Sequence, residues 1–175
     1  MKIRPSLLVA ALALVLNFVP RSFLTTEAGQ EPDPLLSLSE TYLERLCAQD
    51  FQALEPLLDA NALFEDPTRV TLTGKVQRIQ GRAAMLENFA KNAKSQGQSE
   101  VEIVETFVTG EHVVMRLNYN SKGSANVIRV DGETPSVSLV IPAVTILRIQ
   151  NGRVVHHLDH VDYASILRQV TDEQK

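Results

Sequence analysis

The segment from Val144 to Leu167, VTILRIQNGRVVHHLDHVDYASIL, constrains the fold more than any other part of the chain. Apolar and β-branched residues lie on both sides of Asn151-Gly152, a dipeptide that favours the tight turn of a β-hairpin because both residues tolerate positive φ. The segment therefore predicts two antiparallel strands joined at this turn, followed by a short helix.

Histidine and aspartate side chains interrupt the second of these strands, at His156, His157, Asp159, His160 and Asp162. Side chains alternate between the two faces of a strand, so His157 and Asp159 share one face. His156 and His160 point to the other face. Acidic and imidazole groups are costly to bury among apolar residues unless they are paired or functional, which makes this strand the first candidate for chemistry.

These histidines do not predict a metal site. His156 and His160 would lie about 13 Å apart at ~3.3 Å per residue, too far to share an ion, and His157 with Asp159 would supply two ligands only. Cys47 is the single cysteine, so neither an intrachain disulfide nor a cysteine-based metal site can form. We expect no metal and no organic cofactor, and we expect Cys47 to be a small buried hydrophobic residue.

The composition is that of one folded domain: the chain has 175 residues, of which 44% are hydrophobic. The formal net charge is −4 and the isoelectric point is about 5.6. Aromatic residues make up 5% of the chain and Trp is absent. Nucleic-acid-binding domains use basic surfaces and stacking aromatic residues, so the composition argues against a nucleic-acid partner.

The N-terminus has the pattern of an export signal. Lys2 and Arg4 precede an apolar run, Leu7–Val19, which at about 13 residues is shorter than the ~20 that a membrane span needs. A cleavage site near Ala28 would make residues 1–28 a signal peptide and the protein periplasmic or extracellular. Contact with a membrane is expected only if this segment stays uncleaved as an anchor, and a buried N-terminal helix is the remaining alternative.

The rest of the chain divides into helices followed by strands. Residues 29–35 hold two prolines and predict a linker, residues 36–170 form the domain, and 171–175 form a tail. The first helix would be capped by Ser37 or Ser39, and the second by Asp50. Helices are predicted at 36–49, 50–59 and 80–94, strands at 101–108, 112–120, 137–149 and 153–163, an extended piece at 61–67, and a hairpin or irregular flap at 70–79.

This order predicts an α+β domain with helices on one face of a curved antiparallel sheet. The strand Leu139–Ile149 is apolar on both faces and so needs cover on both. The helices would cover one face. We expect a second copy of the chain to cover the other, which predicts a homodimer formed through the sheet.

Four segments resemble the SnoaL-like, or nuclear-transport-factor-2-like, superfamily. They are the first helix with Tyr42, the FEDP segment Phe64–Pro67, the helix opening GRAAM at Gly81–Met85, and the final segment Asn151–Tyr163. The superfamily includes ketosteroid isomerases, limonene epoxide hydrolases, polyketide cyclases and non-enzymatic members. The resemblance spans nearly the whole domain and implies a cone-shaped sheet around an apolar pocket, but a shared fold says little about the reaction.

Among these families the epoxide hydrolases offer the nearest enzymatic template. Their Arg-x-Asp on a central strand falls at Arg116-Leu117-Asn118, and their second acid falls at Asp159. Their pocket Tyr and Asn fall at Phe64 and Asp66. Asn118 cannot donate a proton as a carboxylic acid does, and Phe64 lacks a hydroxyl. The resemblance therefore implies that Arg116 and Asn118 face the pocket, without implying epoxide hydrolysis. Hydrophobicity alone favours the opposite orientation of this strand.

Asp159 is the strongest candidate for a catalytic group. A carboxylate facing an apolar pocket can act as a general base toward water or an acidic C–H. His157 would orient it, and Arg116 would act with it. The alternative is a structural Asp159 paired with Arg116, because ion pairs also perturb acids.

Two further polar residues line the expected pocket. Asp66 occupies the region of a pocket acid in isomerase-like relatives, which predicts a second candidate base, although Asp-Pro is also a common turn pair. Tyr42 would donate a hydrogen bond to a ligand oxygen, or would be a core residue with a satisfied hydroxyl.

Two functions remain open. One is a cofactor-independent isomerase, hydrolase or cyclase acting on an apolar small molecule, with Asp159 or Asp66 as base and with Tyr42, Phe64, Asn118 and His157 as binding residues. The other is an exported module of the same fold that binds a ligand or a protein without catalysis. Convergence of Asp159, Asp66 and Arg116 on one cavity would favour the enzyme.

Overall fold

A computed structural model describes residues 33–96, 98–124 and 136–172 of the chain. The helices are α1 (Pro34–Cys47), α2 (Phe51–Leu54), α3 (Val70–Thr73), α4 (Arg82–Gln96) and α5 (Tyr163–Asp172). The strands are β1 (Leu58–Asp66), β2 (Gln77–Gln80), β3 (Gln98–Thr109), β4 (His112–Ser124), β5 (Ser136–Gln150) and β6 (Arg153–Val161). Short 3-10 turns occupy Glu55–Leu57 and Pro67–Arg69. The predicted signal peptide lies outside the described residues.

The six strands form one sheet in the order β2-β1-β6-β5-β4-β3. Neighbouring strands are antiparallel except β1 and β6, which are parallel. Helices α1 and α4 bury one face of this sheet with side chains such as Tyr42, Leu43 and Met85. Met115 and Leu117 of β4 meet them from the sheet side. The predicted α+β class is confirmed. In the described part of the chain, none of the helices combines the length and the apolar character needed to cross a bilayer.

Helix α1 begins two residues earlier than predicted, inside the expected linker. Asp33, and neither Ser37 nor Ser39, is its N-cap, and its carboxylate accepts the backbone N–H of Leu35 at 2.8 Å. Pro34 then occupies the first helical position. A backbone N–H at this position would have no acceptor within the helix, so proline costs no hydrogen bond there. The two prolines predict a linker, but Pro34 lies at the start of a helix.

The segment after β1 differs from the predicted hairpin or flap. A 3-10 turn leads into the single helical turn α3, which ends at Gly74 in the left-handed conformation, with φ of 71°. Of this segment, β2 is the part that joins the sheet: it pairs with β1 in a register that places Gln77 opposite Asp66. The β-branched residues at 70–73 therefore lie in a helix because the turn that precedes them is capped.

The hairpin of β5 and β6 forms as predicted. Asn151 and Gly152 have φ values of 50° and 70°, the left-handed conformations that a tight hairpin turn requires. A register shift between Arg148 and Ile149 follows the turn, and beyond it Leu147 pairs with His157 and Thr145 with Asp159. Strand β6 ends at Val161, and Tyr163 starts α5 instead of closing the strand.

Candidate functional site

The sheet and the helices enclose a cavity of about 210 Å³. All six strands and helices α1, α2, α4 and α5 contribute to its wall. Most of that wall is apolar, with side chains that include Phe51, Phe64, Phe89, Leu139, Ile141 and Ile166. Polar side chains also reach the wall, among them Asp66, Arg69, Gln77, His157 and Asp159. A largely apolar surface with convergent polar groups is typical of small-molecule sites.

Asp159 lies in the wall of this cavity and is 8% exposed. One carboxylate oxygen, Oδ1, is 2.9 Å from Nε2 of His157 and 2.6 Å from Oγ1 of Thr145. The hydroxyl of Tyr119 is 3.2 Å from the Thr145 hydroxyl. Within residues 33–96, 98–124 and 136–172, no group donates to the second oxygen, Oδ2, of Asp159. The carboxylate is held through one oxygen and leaves the other available.

The chemistry of the donors assigns the protons in this network. A carboxylate only accepts, so Nε2–H of His157 and the hydroxyl of Thr145 both donate to Asp159. The other imidazole nitrogen, Nδ1, is 2.9 Å from the hydroxyl of Tyr42. In neutral imidazole Nδ1 accepts, so Tyr42 donates to it. The hydroxyl of Thr145 uses its proton on Asp159, so its oxygen accepts the hydroxyl of Tyr119. Two chains of donors therefore end on Oδ1 of Asp159.

Aromatic rings hold His157 in place. The imidazole is fully buried, and its centroid lies 5.0 Å from that of Phe64 and 5.5 Å from that of Tyr42, both in edge-to-face arrangements. Phe89 lies 6.4 Å away. The surrounding rings limit the orientations that the imidazole can adopt. His157 and Asp159 therefore share one face and touch, as the strand periodicity predicted.

Tyr42 lies behind His157 and not at the cavity wall. It is fully buried, and its hydroxyl is used on His157. The predicted contact between Tyr42 and a ligand oxygen is therefore replaced by a contact with the imidazole, whereas Phe64 and His157 do line the cavity.

Asp66 lines the same cavity from the end of β1 and is 2% exposed. Its Oδ1 accepts the hydroxyl of Thr68 at 2.6 Å and the backbone N–H of Arg69 at 3.0 Å, which caps the 3-10 turn. Its Oδ2 accepts the hydroxyl of Tyr163. The Thr68 oxygen also accepts the backbone N–H of Val161 at 2.9 Å. Asp66 thus joins the end of β1 to β6 and α5 and uses both oxygens to do so.

Buried phenols near these acids stay protonated. Burial raises the pKa of Tyr42 and Tyr119 well above the usual value, and the negative charge of Asp159 raises both further. The pKa of Tyr163 is raised by burial and by its hydrogen bond to Asp66; Arg69 lowers it and Asp159 raises it. All three hydroxyls therefore serve as neutral donors at physiological pH.

Cys47 is buried, as predicted, and its thiol belongs to the cavity wall. Burial raises the pKa of Cys47 to about 11; a hydrogen bond with Ser99 lowers it, and the charge of Asp159 raises it. The thiol is therefore neutral at physiological pH and adds to the apolar part of the wall.

A cation and a row of amides form the polar end of the wall. Nη1 of Arg69 donates to Oε1 of Gln77 at 2.7 Å, and Nε2 of Gln77 donates to Oδ1 of Asn88 at 3.1 Å. Nδ2 of Asn92 donates to the same Asn88 oxygen at 3.1 Å. These contacts orient the Gln77 amide with its oxygen toward the guanidinium.

Arg116 and Asn118 face away from the cavity, which contradicts the orientation implied by the resemblance. Nε of Arg116 is 3.3 Å from Oε2 of Glu105, and 58% of its side chain is exposed. Asn118 donates to Glu102 at 3.0 Å on the same surface. The apolar side chains of β4, Met115 and Leu117, point inward instead. Burying a guanidinium would cost more than burying two apolar side chains gains, so hydrophobicity decides the orientation.

Sequence reasoning missed several polar groups of the site, namely Thr145, Tyr119, Tyr163, Arg69 and Gln77. For Thr145 the turn alone misleads, because it would place Val144 opposite Asp159; the register shift between Arg148 and Ile149 places Thr145 there instead. For the other four no local pattern exists, since their partners lie far away in the chain.

In the described residues, no three side chains of metal-ligand type form a cluster. The acid–base groups of the cavity wall include the carboxylates of Asp159 and Asp66, the guanidinium of Arg69 and the imidazole of His157.

Comparisons with known proteins place this geometry in a family. Residues 39–157 match the family model described as the SnoaL-like domain. A protein designated a SnoaL-like polyketide cyclase from Shewanella putrefaciens has a similar solved structure, with a TM-score of 0.70, 24% identity, and coverage of 81% of this chain and 88% of that one. The resemblance noted from the sequence is confirmed. A comparison with curated protein sequences found no significant match.

Two other solved structures share the fold. An LEH-like epoxide hydrolase from M. tuberculosis has a TM-score of 0.59 and 15% identity, covering 79% of this chain and 92% of that one. A protein with a ketosteroid isomerase-like fold from Catenulispora acidiphila, in complex with trimethylamine, has a TM-score of 0.61 and 17% identity, covering 75% and 90%. At these identities the likeness extends to the fold alone.

Proposed function

The chain belongs to the SnoaL-like family, and on that premise we propose that it is a cofactor-independent acid–base enzyme with Asp159 as its general base. Its substrate is a small molecule with an apolar body that fits the cavity. The reaction is an isomerisation, a cyclisation or a hydrolysis that starts with removal of a proton from carbon or from water.

The observation that carries this proposal is the asymmetry of the Asp159 carboxylate. Oδ1 accepts from both His157 and Thr145, so the side chain cannot rotate freely. Oδ2 has no donor among the described residues and belongs to a side chain in the cavity wall. A positioned carboxylate with one available oxygen in an apolar cavity is what a general base requires.

The proton transfer is balanced without any further group. Oδ2 of Asp159 takes the proton, the carboxylate becomes a neutral acid, and the substrate keeps the electron pair as a carbanion or a hydroxide equivalent. His157 and Thr145 keep their hydrogen bonds to Oδ1 throughout. Tyr42 is a positioning residue, since it holds the imidazole from behind. Returning the proton to another atom completes an isomerisation.

Asp66 is the weaker candidate for the base. Its two oxygens accept three hydrogen bonds, and one of these caps the turn after β1. Taking a proton on Asp66 would break contacts that join β1 to α5, so we assign it a structural role.

Exchange of carbon-bound hydrogen in D₂O tests the proposal without knowledge of the natural substrate. Small cyclic ketones and 1,3-dicarbonyl compounds are incubated with the protein, and deuterium incorporation is followed by NMR. We expect enzyme-dependent exchange that Asp159→Asn reduces by about 10²–10⁴-fold. Arg116→Ala, on the outer surface, is the matched control. Exchange that is equally fast in Asp159→Asn would overturn the assignment.

A non-catalytic ligand-binding module is the second candidate. The specific observation in its favour is the outward orientation of Arg116 and Asn118. These two residues are the counterparts of the Arg-x-Asp of the epoxide hydrolases, and they lie outside the cavity. This function predicts saturable binding of apolar ligands that is unaffected by Asp159→Asn, with no exchange.

We also propose that the outer face of the sheet forms a homodimer. Val140 of β5 and Phe107 of β3 are 48% and 58% exposed, and Val144 and Ile146 lie partly buried between them on the same face. Sedimentation analysis should give twice the monomer mass. Val144→Lys should give the monomer, and Gln52→Lys, at an exposed site on α2, should not.

We further propose that residues 1–28 direct export. A fusion of this segment to a reporter enzyme that is active only outside the cytoplasm should be active. Leu12→Arg, which places a charge in the centre of the apolar run, should abolish that activity. An active Leu12→Arg fusion would contradict the assignment.

A further inference from the structure

The side chain of Arg69 is a cation in the cavity wall. It is partly buried and lines the cavity at the turn after β1. In the part of the chain that the structure describes, no Asp or Glu side chain forms an ion pair with it. Asp66 accepts the backbone N–H of Arg69 and gives its remaining bonds to Thr68 and Tyr163.

A partly buried guanidinium normally pairs with an anion. It carries five N–H donors in a planar fork, and within the described residues its side chain donates only to the Gln77 oxygen, at 2.7 Å. The fork matches the geometry of a carboxylate, which it binds through two parallel hydrogen bonds. Desolvating a charge without such a partner is costly, so the cavity is complete only with an anionic oxygen at this end.

The guanidinium is also held ready for such a partner. Gln77 anchors it from one side, Asn88 fixes Gln77, and Asn92 fixes Asn88. A side chain that is ordered before binding loses less conformational entropy when the ligand arrives. Arg78, with 63% of its side chain exposed, differs in that it pairs with the carboxylate of Glu65.

The size of the cavity limits what the anion can belong to. A dry cavity of about 150 Å³ accepts benzene, and this one measures about 210 Å³. One ring and a few more heavy atoms fit. Arg69, Asp66 and Asp159 line this same cavity, and the charges of all three act on the hydroxyl of Tyr163.

We propose that the ligand is a small carboxylate with an apolar ring, and that Arg69 binds its carboxylate. This inference rests on the proposed function in that it names the substrate class of the same cavity. Asp159 would then act on the part of the ligand that lies away from the carboxylate, because two like charges in contact repel.

Calorimetric titration with phenylacetate and phenylacetamide tests the inference. The two probes share a ring and a chain and differ in charge. We expect the full chain to bind phenylacetate at least about tenfold more tightly, a difference of ~1.4 kcal/mol. Arg69→Met should remove that preference and Arg69→Lys should keep part of it, since lysine retains the charge without the fork. Arg78→Met is the matched control and should leave the preference unchanged.

Three results would overturn the inference: equal binding of the two probes by the unaltered chain, a preference that survives in Arg69→Met, or absence of saturable phenylacetate binding. Circular dichroism and a thermal melt show whether each variant is folded. If Arg69→Met does not fold, the test uses the preference measured for Arg69→Lys. The preference should persist in Asp159→Asn. Loss of exchange with a preserved preference would therefore separate the base assignment from the carboxylate assignment.

Discussion

Two carboxylates of the same cavity differ in how many of their oxygens the fold uses. Asp66, at the end of β1, accepts three hydrogen bonds through both oxygens and connects β1 with α5. Asp159, on β6, accepts two bonds through one oxygen and keeps the other for the cavity. Both are almost fully buried, so burial does not separate them. The distribution of donors does, and it indicates which acid stabilises the fold and which can accept a proton.

The largest expected effect is on catalysis at Asp159. Asp159→Asn keeps an acceptor for His157 and Thr145 but removes the basic oxygen, so deuterium exchange should fall by about 10²–10⁴-fold. The free energy of unfolding, measured in urea, should change by less than about 1 kcal/mol. A large loss of stability with little loss of exchange would reverse the roles of the two acids.

Asp66→Ala should show the opposite balance. It removes the cap of the 3-10 turn and the acceptor of Tyr163, so the free energy of unfolding should fall by about 2–3 kcal/mol. Urea titration followed by circular dichroism measures this change. A fall smaller than that of Asp159→Asn would contradict the structural assignment of Asp66.

The two phenols that serve these acids extend the comparison. Tyr42→Phe leaves the Nδ1 acceptor of His157 without a donor, which should cost about 1 kcal/mol of stability and slow exchange about fivefold. Tyr163→Phe, on the Asp66 side, should cost similar stability with a smaller effect on the rate. Equal effects on the rate would remove the distinction between the two acids.

The thiol of Cys47 reports the charge of Asp159 without any substrate. Its pKa is raised to about 11, first by burial and in part by Asp159. Removing that negative charge favours the thiolate, so the pKa should be lower in Asp159→Asn and unchanged in Asp66→Asn. The pH dependence of alkylation by iodoacetamide measures it. An unchanged pKa in Asp159→Asn would mean that the carboxylate does not act on this part of the cavity.

The smallest effect is expected at Arg116. In the single chain its ion pair with Glu105 is exposed to solvent, so Arg116→Ala should change the free energy of unfolding of the monomer by less than about 1 kcal/mol. Exchange should be unchanged because the side chain lies outside the cavity. A loss of exchange comparable with that of Asp159→Asn would show that Arg116 takes part in the reaction after all.

Local patterns predicted the parts of the fold that depend on neighbours in the chain. The strand period placed His157 beside Asp159. The Asn151-Gly152 turn alone would have placed Val144 opposite Asp159, and the register shift beside Ile149 that puts Thr145 there has no local signal. The start of α1 was predicted two residues late, because proline was interpreted as a linker residue when it lies at the first helical position. The helix α3 was missed because β-branched residues at 70–73 suggested a strand.

Contacts between distant residues could not be predicted in this way. Tyr42 and His157 are 115 residues apart in the chain, and Asp66 and Tyr163 are 97 apart. Neither spacing has a periodic signature. For Arg116, the family template was followed against the hydrophobic pattern, and the pattern was correct because burial favours Met115 and Leu117 over a charged side chain.

The amino-acid order specifies a helices-then-strands domain, a hairpin ending in an acid–imidazole pair, and a family. These features arise from side-chain periodicity and turn chemistry, which act over a few residues. The roles of the two acids depend on which donors reach them once β1, β6 and α5 have packed together. Hydrogen bonds across the fold are short-ranged in space and unrestricted in sequence, so the available oxygen of Asp159 and the cation at Arg69 become visible in three dimensions alone.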